Sequence, residues 1–354
     1  MAKLSMHESL PFDEATAPSL VSTGELPQTE QVRDAVTEAY QRYRSNRDGA
    51  VADYIPALAS ASPELFGISV VGARGRSFEI GDVGTVFSIQ SVSKPFVFAL
   101  VCQAIGYEPA RHRLGVNSTG FPFNSLMAVE LNDDRTMNPL VNAGAIATTS
   151  LIPGDTGEEK WERIRDGLSR FAGRELSLSK GVYESESATN LRNQGIAHLL
   201  ASYERLYFDP DEATDVYTRQ CSLDVTVHDL AVMAATLANG GVNPMTGERV
   251  IVAGVCRRVL AVMATAGLYE LSSEARRQLA QSAAIQLCFS SNGAHGLPLA
   301  EDMSSLSPPC AAHQCRDHRF GPQSRGGRCC RCRSRRWPWS PAWRCRGTRP
   351  RSRS

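Results

Sequence analysis

The chain has 354 residues, 42% of them hydrophobic and 21% charged, a composition typical of a globular protein with one large core or two smaller ones. Its formal net charge of +1 conceals an uneven distribution. Residues 316–354 hold thirteen arginines and one acid, so residues 1–315 carry an excess of eleven negative charges. No run of roughly eighteen apolar residues occurs, which argues against a membrane-spanning helix.

The N-terminal segment and the cysteines predict a cytoplasmic protein. Residues 1–28 are acidic and polar, lack the basic start and apolar stretch of a secretory signal, and are interpreted as a flexible arm. Cys102, Cys221, Cys256 and Cys288 are scattered along the chain, as is typical of buried, reduced thiols.

Order is predicted to begin at Thr29, where apolar residues recur at helical spacing up to Tyr43 and indicate an amphipathic helix. Phe66–Val71 and Ser77–Ile80 are short apolar or alternating segments joined by a glycine-rich turn, Gly72-Ala73-Arg74-Gly75. This pattern predicts a β-hairpin.

A third short segment, Thr85–Ile89, leads into Ser91-Val92-Ser93-Lys94. Val92–Ile105 is predicted to be a nearly all-apolar, buried helix that tolerates Pro95 in its first turn. Residues three apart share a helical face, so a Lys94 amine held neutral by burial would take the proton of Ser91 as it attacks a carbonyl carbon. The helix N-terminus favours an oxyanion there. A plain N-cap role for Ser91 explains its residue type equally well.

Further helices are predicted for residues 160–171, 190–207, 226–239 and 252–265. The third begins with a capping box, Thr226 and Asp229, and ends at Asn239-Gly240-Gly241. Few strands and many helices, without a βαβα alternation, predict an α+β architecture with the helices segregated on the sheet.

Separate sequence blocks in a fixed order provide the functional signal. They are Tyr54-Ile55-Pro56 with Leu58-Ala59, Phe87 to Lys94, Asn138 to Ile146, Ser185-Glu186 with Asn193, Gln220 to Leu223, Met233 to Gly241, and Thr265 to Tyr269. Over roughly Thr29 to Leu271 the chain thereby resembles the serine-dependent glutaminases of the β-lactamase-like fold. The resemblance implies an antiparallel sheet flanked by helices, together with a helical subdomain.

The resemblance also implies a reaction. The first serine of the SxxK motif would attack the side-chain amide carbon of L-glutamine, ammonia would leave, and water would hydrolyse the glutamyl ester to glutamate, without metal or organic cofactor. On the matching positions Ser91 is the nucleophile, Lys94 its base, and Tyr269 a proton relay to the departing ammonia. The implied substrate-binding residues are Tyr54, Ser91, Asn142, Glu186, Asn193, Tyr217 and Tyr269.

The residue types suit glutamine, which carries an α-ammonium and an α-carboxylate. Glu186 is the only negative charge in the set and is assigned to the ammonium, while the amides and phenols serve the carboxylate and the amide. Each residue taken alone has a plainer explanation: a solvated helix face for Glu186 and Asn193, a turn for Asn142, and half-buried core aromatics for Tyr217 and Tyr269.

The resemblance stops after Leu271, where the family continues with Lys-Ser-Gly, a valine and the final strands. No lysine occurs after Lys180. In the family the backbone N–H of that valine completes the oxyanion hole with the N–H of the nucleophilic serine, so the resemblance implies impaired activity. The missing C-terminal strands would also leave a sheet edge uncovered.

Residues 272–354 are rich in Arg, Cys, Pro and Trp and are predicted to be disordered, apart from a helix over Ala275–Leu287. We hypothesise that this tail is an out-of-frame reading of a GC-rich gene. Two other interpretations are nonspecific nucleic-acid binding by its arginines and tryptophans, and zinc binding, although the spacing of its ligands matches no common zinc finger. Those ligands are Cys310, His313, Cys315, His318, Cys329, Cys330 and Cys332.

The sequence thus predicts an N-terminal arm (1–28), a glutaminase-like catalytic domain (29–271) and a non-family tail (272–354). We expect a cytoplasmic homo-oligomer, a dimer or tetramer, that acts on glutamine and binds neither membranes nor a specific nucleic acid. Two alternatives stay open: a penicillin-recognising serine acylase or transpeptidase of the same fold, and a glutamine-binding protein that has lost turnover.

Overall fold

The structure, a computed structural model, describes residues 28–272. In this range the helices are α1 (Thr29–Tyr43), α2 (Pro56–Ala59), α3 (Ser93–Ile105), α4 (Tyr107–Leu114), α5 (Met127–Glu130), α6 (Asn142–Ser150), α7 (Gly157–Ala172), α8 (Lys180–Ser187), α9 (Leu191–Ser202), α10 (Pro210–Cys221), α11 (Val227–Ala238) and α12 (Ala253–Ala266). The strands are β1 (Gly67–Val71), β2 (Ser77–Gly81), β3 (Phe87–Ser88) and β4 (Asp224–Val225). Many helices with a few antiparallel strands confirm the α+β prediction.

The predicted hairpin is present. β1 and β2 pair antiparallel from Gly67 opposite Gly81 to Val71 opposite Ser77. Gly75 closes the turn at φ +76°, a left-handed conformation that glycine adopts without steric cost. Helix α11 packs against β1 and α1 against β2, so the hairpin is covered by helices.

The third predicted strand is shorter than expected and lies in a different sheet. β3 has only two residues and pairs with β4, with Phe87 opposite Val225, and the backbone N–H of Ile89 continues this ladder to the carbonyl oxygen of Leu223 at 2.8 Å. Strand β4 was not predicted, because two residues are too few to show an alternating pattern. This small ladder anchors the segment that leads into α3.

Helix α3 is the centre of the core, as its apolar sequence predicts. Its Phe98 is fully buried, and Phe96 packs edge-on against Phe171 of α7 with ring centroids 5.2 Å apart. Burial of a phenylalanine of this kind contributes about 2–3 kcal/mol. Gly167 of α7 permits the close approach, since a Cβ there would lie 2.4 Å from a methyl carbon of Leu100.

Helix α11 begins and ends as predicted. The backbone N–H of Asp229 donates to the Thr226 hydroxyl at 3.2 Å, and its carboxylate accepts from the Thr226 N–H at 2.7 Å. Gly240 and Gly241 follow the helix at positive φ. No helix within residues 28–272 is both long enough and apolar enough to span a bilayer. The predictions for the arm and for most of the tail, including its helix at Ala275–Leu287, fall outside the described residues.

Candidate active site

Ser91 lies where a strand turns sharply into the buried helix α3. Gln90 has a φ of +49°, and Ser91 is the middle residue of a 3₁₀ turn over Gln90–Val92 that runs directly into α3. Backbone N–H groups in the first turn of a helix have no carbonyl partner within the helix, so this turn presents a positive end to a ligand. Ser91 is not the N-cap: that position is Val92, which makes no side-chain capping bond.

Lys94 lies one turn after Ser91 and is 2% exposed. Its Nζ donates to Oδ1 of Asn142 at 2.8 Å, and Nδ2 of Asn142 donates to Oδ1 of Asn193 at 3.1 Å. The amine also lies 5.6 Å from the ring centroid of Tyr269. Three of the predicted residues, from α6, α9 and the segment after α12, therefore gather around the Lys94 amine, one turn along the chain from Ser91.

Asn142 is the first residue of α6 rather than part of an isolated turn. The loop before it is fixed by Asn138, whose Oδ1 accepts the N–H of Leu140 at 3.0 Å and whose Nδ2 donates to the carbonyl oxygen of Asn117 at 2.9 Å. Gly144 lets the helix lie directly on that loop, because a Cβ there would come within 1.8 Å of the Asn138 carbonyl oxygen. This packing sets the position from which Asn142 reaches Lys94.

Glu186 is a buried anion near the end of α8, 6% exposed. Burial raises its pKa to about 7, while a hydrogen bond from the Gln90 side chain and the Lys94 amine act in the opposite direction. Its Oε2 has no hydrogen-bond partner among the described residues. A buried carboxylate that the protein satisfies only in part is suited to receive a cationic ligand group.

The plainer explanation of Glu186 and Asn193, a solvated face of one helix, is wrong. Glu186 belongs to α8 and Asn193 to α9, and the chain breaks between the two helices at residues 188–190. Both side chains lie near the Lys94 amine, Asn193 through its hydrogen bond with Asn142 and Glu186 through its interaction with the Lys94 charge. Glu186 is also almost fully removed from solvent.

Two phenols, those of Tyr54 and Tyr217, neighbour Glu186, and a third, that of Tyr269, neighbours both of them. Tyr217, on α10, is fully buried rather than half-buried, and its pKa is raised well above 10, first by burial and then by the neighbouring Cys221 and Glu186. Tyr54, just before α2, is exposed over much of its side chain, and the pKa of its phenol is raised by partial burial and by the same two neighbours. Phenols with raised pKa values stay protonated and act as hydrogen-bond donors. Tyr269, at φ +53°, packs on Phe123 with ring centroids 5.5 Å apart.

The arrangement combines a serine at a helix start, a buried amine one turn away, an incompletely satisfied carboxylate and a set of neutral donors. These groups can form and hydrolyse an ester on a substrate that carries a positive charge. Among residues 28–272, no group of three or more His, Cys, Asp or Glu side chains lies close enough together to hold a metal ion.

Comparison with known proteins identifies the family. The family model for glutaminase matches residues 49–278. The chain belongs to the glutaminase family. The matched range contains every residue of the site and overlaps the predicted catalytic domain from residue 49 onward.

Individual glutaminases show the same relationship. Glutaminase 2 of Yersinia pestis is 58% identical over 254 residues, which cover 72% of this chain and 75% of that protein. The glutaminase of Brucella canis is 49% identical over 245 residues, 68% of this chain and 77% of that protein.

Solved structures agree with the sequence comparison. One of a probable glutaminase, ybaS, superposes with a TM-score of 0.70 at 41% identity, covering 72% of this chain and 82% of that one. A structure of Mglu in its glutamate form gives a TM-score of 0.65 at 37% identity, covering 70% of this chain and 57% of that one.

Several residues of this glutaminase site were missed by the sequence analysis. Gln90 bonds Glu186 and holds the turn before Ser91, and Phe123 packs on Tyr269. Cys221 lies beside Ser93, Lys94 and Glu186, and burial raises its pKa to about 12, so its thiol stays protonated. Gln90 and Cys221 lie inside sequence blocks that carry the family resemblance, so these blocks were the signal that could have identified them. Phe123 lies in none of them.

Proposed function

We propose that this chain hydrolyses L-glutamine to L-glutamate and ammonia through an ester formed on Ser91. The observation that carries the proposal is the buried Lys94 amine, one turn from Ser91 and hydrogen-bonded to Asn142. The Glu186 carboxylate, whose Oε2 has no partner among residues 28–272, lies close to that amine. Membership of the glutaminase family supports the same reaction.

The reaction proceeds in two acyl-transfer steps. Oγ of Ser91 attacks the side-chain amide carbon of glutamine while Lys94 takes the hydroxyl proton. The C–N bond then breaks, a proton passes through the Tyr269 phenol to the nitrogen, and ammonia leaves. Water attacks the glutamyl ester, the proton of that water returns to Ser91, and glutamate is released.

Substrate binding follows from the charges of the site. Glu186 binds the α-ammonium through Oε2, the oxygen that has no hydrogen-bond partner within residues 28–272. The phenols of Tyr54 and Tyr217 and the amides of Asn142 and Asn193 serve the carboxylate and the reacting amide. Because burial raises the pKa of Glu186 to about 7, its carboxylate is formed above neutral pH. Binding of glutamine should therefore weaken as the pH falls below about 7.

We further propose that turnover is impaired. The chain has no lysine after Lys180, so the Lys-Ser-Gly segment expected from the family resemblance is absent and the Ser91 N–H lacks its partner donor. Loss of one oxyanion donor typically lowers kcat by roughly 10²–10³-fold. Resequencing tests the out-of-frame origin of the tail: a restored Lys-Ser-Gly frame after one base change supports it, and a clean sequence with peptides covering the tail contradicts it.

Ammonia release from glutamine by the purified chain tests the function, with Ser91→Ala as control. Release that depends on Ser91 supports it, and release by Ser91→Ala contradicts the assignment of the nucleophile. The missing Lys-Ser-Gly segment favours one second candidate, a glutamine-binding protein without turnover. A rise in melting temperature with glutamine, in the absence of ammonia release, would identify that function instead.

We also propose a cytoplasmic homo-oligomer. The reduced, buried thiols of Cys102, Cys221 and Cys256 are suited to a reducing compartment. Light scattering coupled to size exclusion measures the assembly: a dimer or tetramer supports the proposal, and a monomer at micromolar concentration contradicts it.

A further inference from the structure

A buried chain of hydrogen bonds runs from α6 through α10 to the turn that holds Ser91. The Thr149 hydroxyl lies 3.0 Å from Oε1 of Gln220, Nε2 of Gln220 donates to Oγ of Ser93 at 3.0 Å, and the Ser93 hydroxyl donates to the carbonyl oxygen of Gln90 at 2.8 Å. Thr149, Gln220 and Ser93 are each at most 1% exposed. We call this set the relay.

The relay ends on the peptide unit that contains the Ser91 N–H. The carbonyl of Gln90 and the N–H of Ser91 belong to one planar trans peptide, so they point in opposite directions and cannot turn independently. Ser93 binds that carbonyl twice, through its hydroxyl and through its own backbone N–H. Fixing the carbonyl therefore fixes the direction of the Ser91 N–H.

The backbone at this point needs such support. Gln90 stands at φ +49°, a conformation that non-glycine residues adopt rarely and keep only where their surroundings enforce it. The Gln90 side chain is itself engaged with Ser88 and Glu186. The relay supplies the constraint on the main chain.

Thr149 determines which end of the Gln220 amide faces Ser93. Its hydroxyl is shared between the Ala145 carbonyl oxygen and Oε1 of Gln220, which leaves Nε2 pointing at Ser93. With its acceptor end satisfied in this way, Gln220 donates to Ser93 and directs the Ser93 hydroxyl proton to Gln90. Without the Thr149 hydroxyl the amide is free to turn over, and Ser93 loses its donor.

We propose that Gln220 and Thr149 are positioning residues, which aim the Ser91 N–H at the oxyanion of the tetrahedral intermediate. The inference rests on the proposed role of Ser91 as nucleophile and names residues beyond that role. None of the three relay side chains needs to touch the substrate. Their loss should therefore lower kcat and leave KM nearly unchanged.

The test compares four variants of the full chain. Thr149→Val removes the hydroxyl at nearly constant volume, whereas Thr149→Ser keeps the hydroxyl and removes only the methyl group. Gln220→Met removes the amide. Thr148→Val is the matched control, because among residues 28–272 the buried Thr148 hydroxyl bonds only the carbonyl oxygen of Gly144 in its own helix. Ammonia release from glutamine gives kcat and KM, and the glutamine-induced rise in melting temperature reports binding separately.

We expect kcat of Thr149→Val and Gln220→Met to fall about tenfold or more with KM within about twofold of the unmodified chain. Thr149→Ser and Thr148→Val should keep kcat within about twofold. An unchanged kcat in Thr149→Val, or an equal loss of kcat in Thr148→Val, would overturn the role of the relay. The proposed function would still be supported in that case if Ser91→Ala loses activity. No turnover in the unmodified chain, or full turnover in Ser91→Ala, would overturn both.

Discussion

Replacing Glu186 with glutamine should make the folded protein more stable and the site less able to bind its substrate. The carboxyl is buried, and its Oε2 has no partner among residues 28–272. Burying a charge without full compensation costs folding free energy. Glutamine at this position keeps the shape and removes the charge.

The size of the effect follows from the pKa of Glu186, about 7 in the folded protein against an ordinary value of 4.5. The folded state binds this proton more tightly than the unfolded state, so the free energy of unfolding decreases as pH rises from 4.5 to 7. The difference of about 2.5 in pKa corresponds to at most about 3 kcal/mol above pH 7. For a domain of this size that equals a rise in melting temperature of roughly 6–12 °C in Glu186→Gln.

Thermal unfolding at pH 5 and pH 8 provides the assay. At pH 8 Glu186→Gln should melt above the unmodified chain, and at pH 5 the difference in stability should fall to about a quarter of its value at pH 8. Glu184→Gln, an exposed change on the same helix, is the control and should alter stability by less than about 0.5 kcal/mol. KM for glutamine should rise roughly tenfold to a hundredfold in Glu186→Gln. A Glu186→Gln variant that is less stable than the unmodified chain at pH 8, or a stability difference that does not change with pH, would show that the buried Glu186 charge does not destabilise the fold.

Three further predictions use single substitutions. Lys94→Met should lower kcat by roughly 10²–10⁴-fold in the ammonia assay, while glutamine should still raise the melting temperature of the variant. Turnover retained in Lys94→Met would exclude Lys94 as the base. Tyr269→Phe keeps the ring and removes the hydroxyl, so kcat should fall about 10²-fold while the free energy of unfolding changes by less than about 0.5 kcal/mol. An unchanged kcat would exclude Tyr269 as the group that passes a proton to ammonia. Gly144→Ala places a Cβ 1.8 Å from the carbonyl oxygen of Asn138 and should destabilise the fold by about 3 kcal/mol in denaturant unfolding. Gly181→Ala is the control: the space around Gly181 is open, so this substitution should stabilise the fold by up to about 1 kcal/mol. Equal effects of the two glycine substitutions would contradict the packing argument.

Local signals predicted the elements that carry their own pattern. The hairpin was visible in its glycine turn, α3 in its apolar run, and α11 in the capping box at Thr226 and Asp229. Helix α6 was missed because its short, mostly small-residue sequence is buried on nearly every side and shows no polar face. Helix α8 was not predicted, whereas the helix predicted for residues 190–207 begins within one residue of α9 and extends beyond its end at Ser202.

The site was predictable in two unequal parts. Ser91 and Lys94 follow from spacing, since residues three apart on a helix share a face. Asn142, Glu186 and Asn193 come from three other helices, and nothing in their local sequence places them beside Lys94. Only the resemblance to a family gathered them. In the structure α6 packs on α3 and on α9, while α10 packs on α8, on α9 and on the turn that holds Ser91.

Neither the spacing of residues in the sequence nor the family resemblance predicted the relay. Gln220 stood inside a recognised block, but Thr149 stood outside every block, as an unremarkable residue of a helix that was not predicted. Its importance depends on one contact between α6 and α10, which sequence spacing does not encode. Buried polar contacts of this kind can be identified only from a three-dimensional structure.

The most direct test of the central claim is the mass of the protein during turnover. The purified chain is mixed rapidly with L-glutamine, quenched in acid, and measured as an intact protein and as peptides. We predict an increase by one glutamyl group, located on the peptide that contains Ser91 and absent from Ser91→Ala. Glutamate formed without an adduct on Ser91, or an adduct on another residue, would contradict the account.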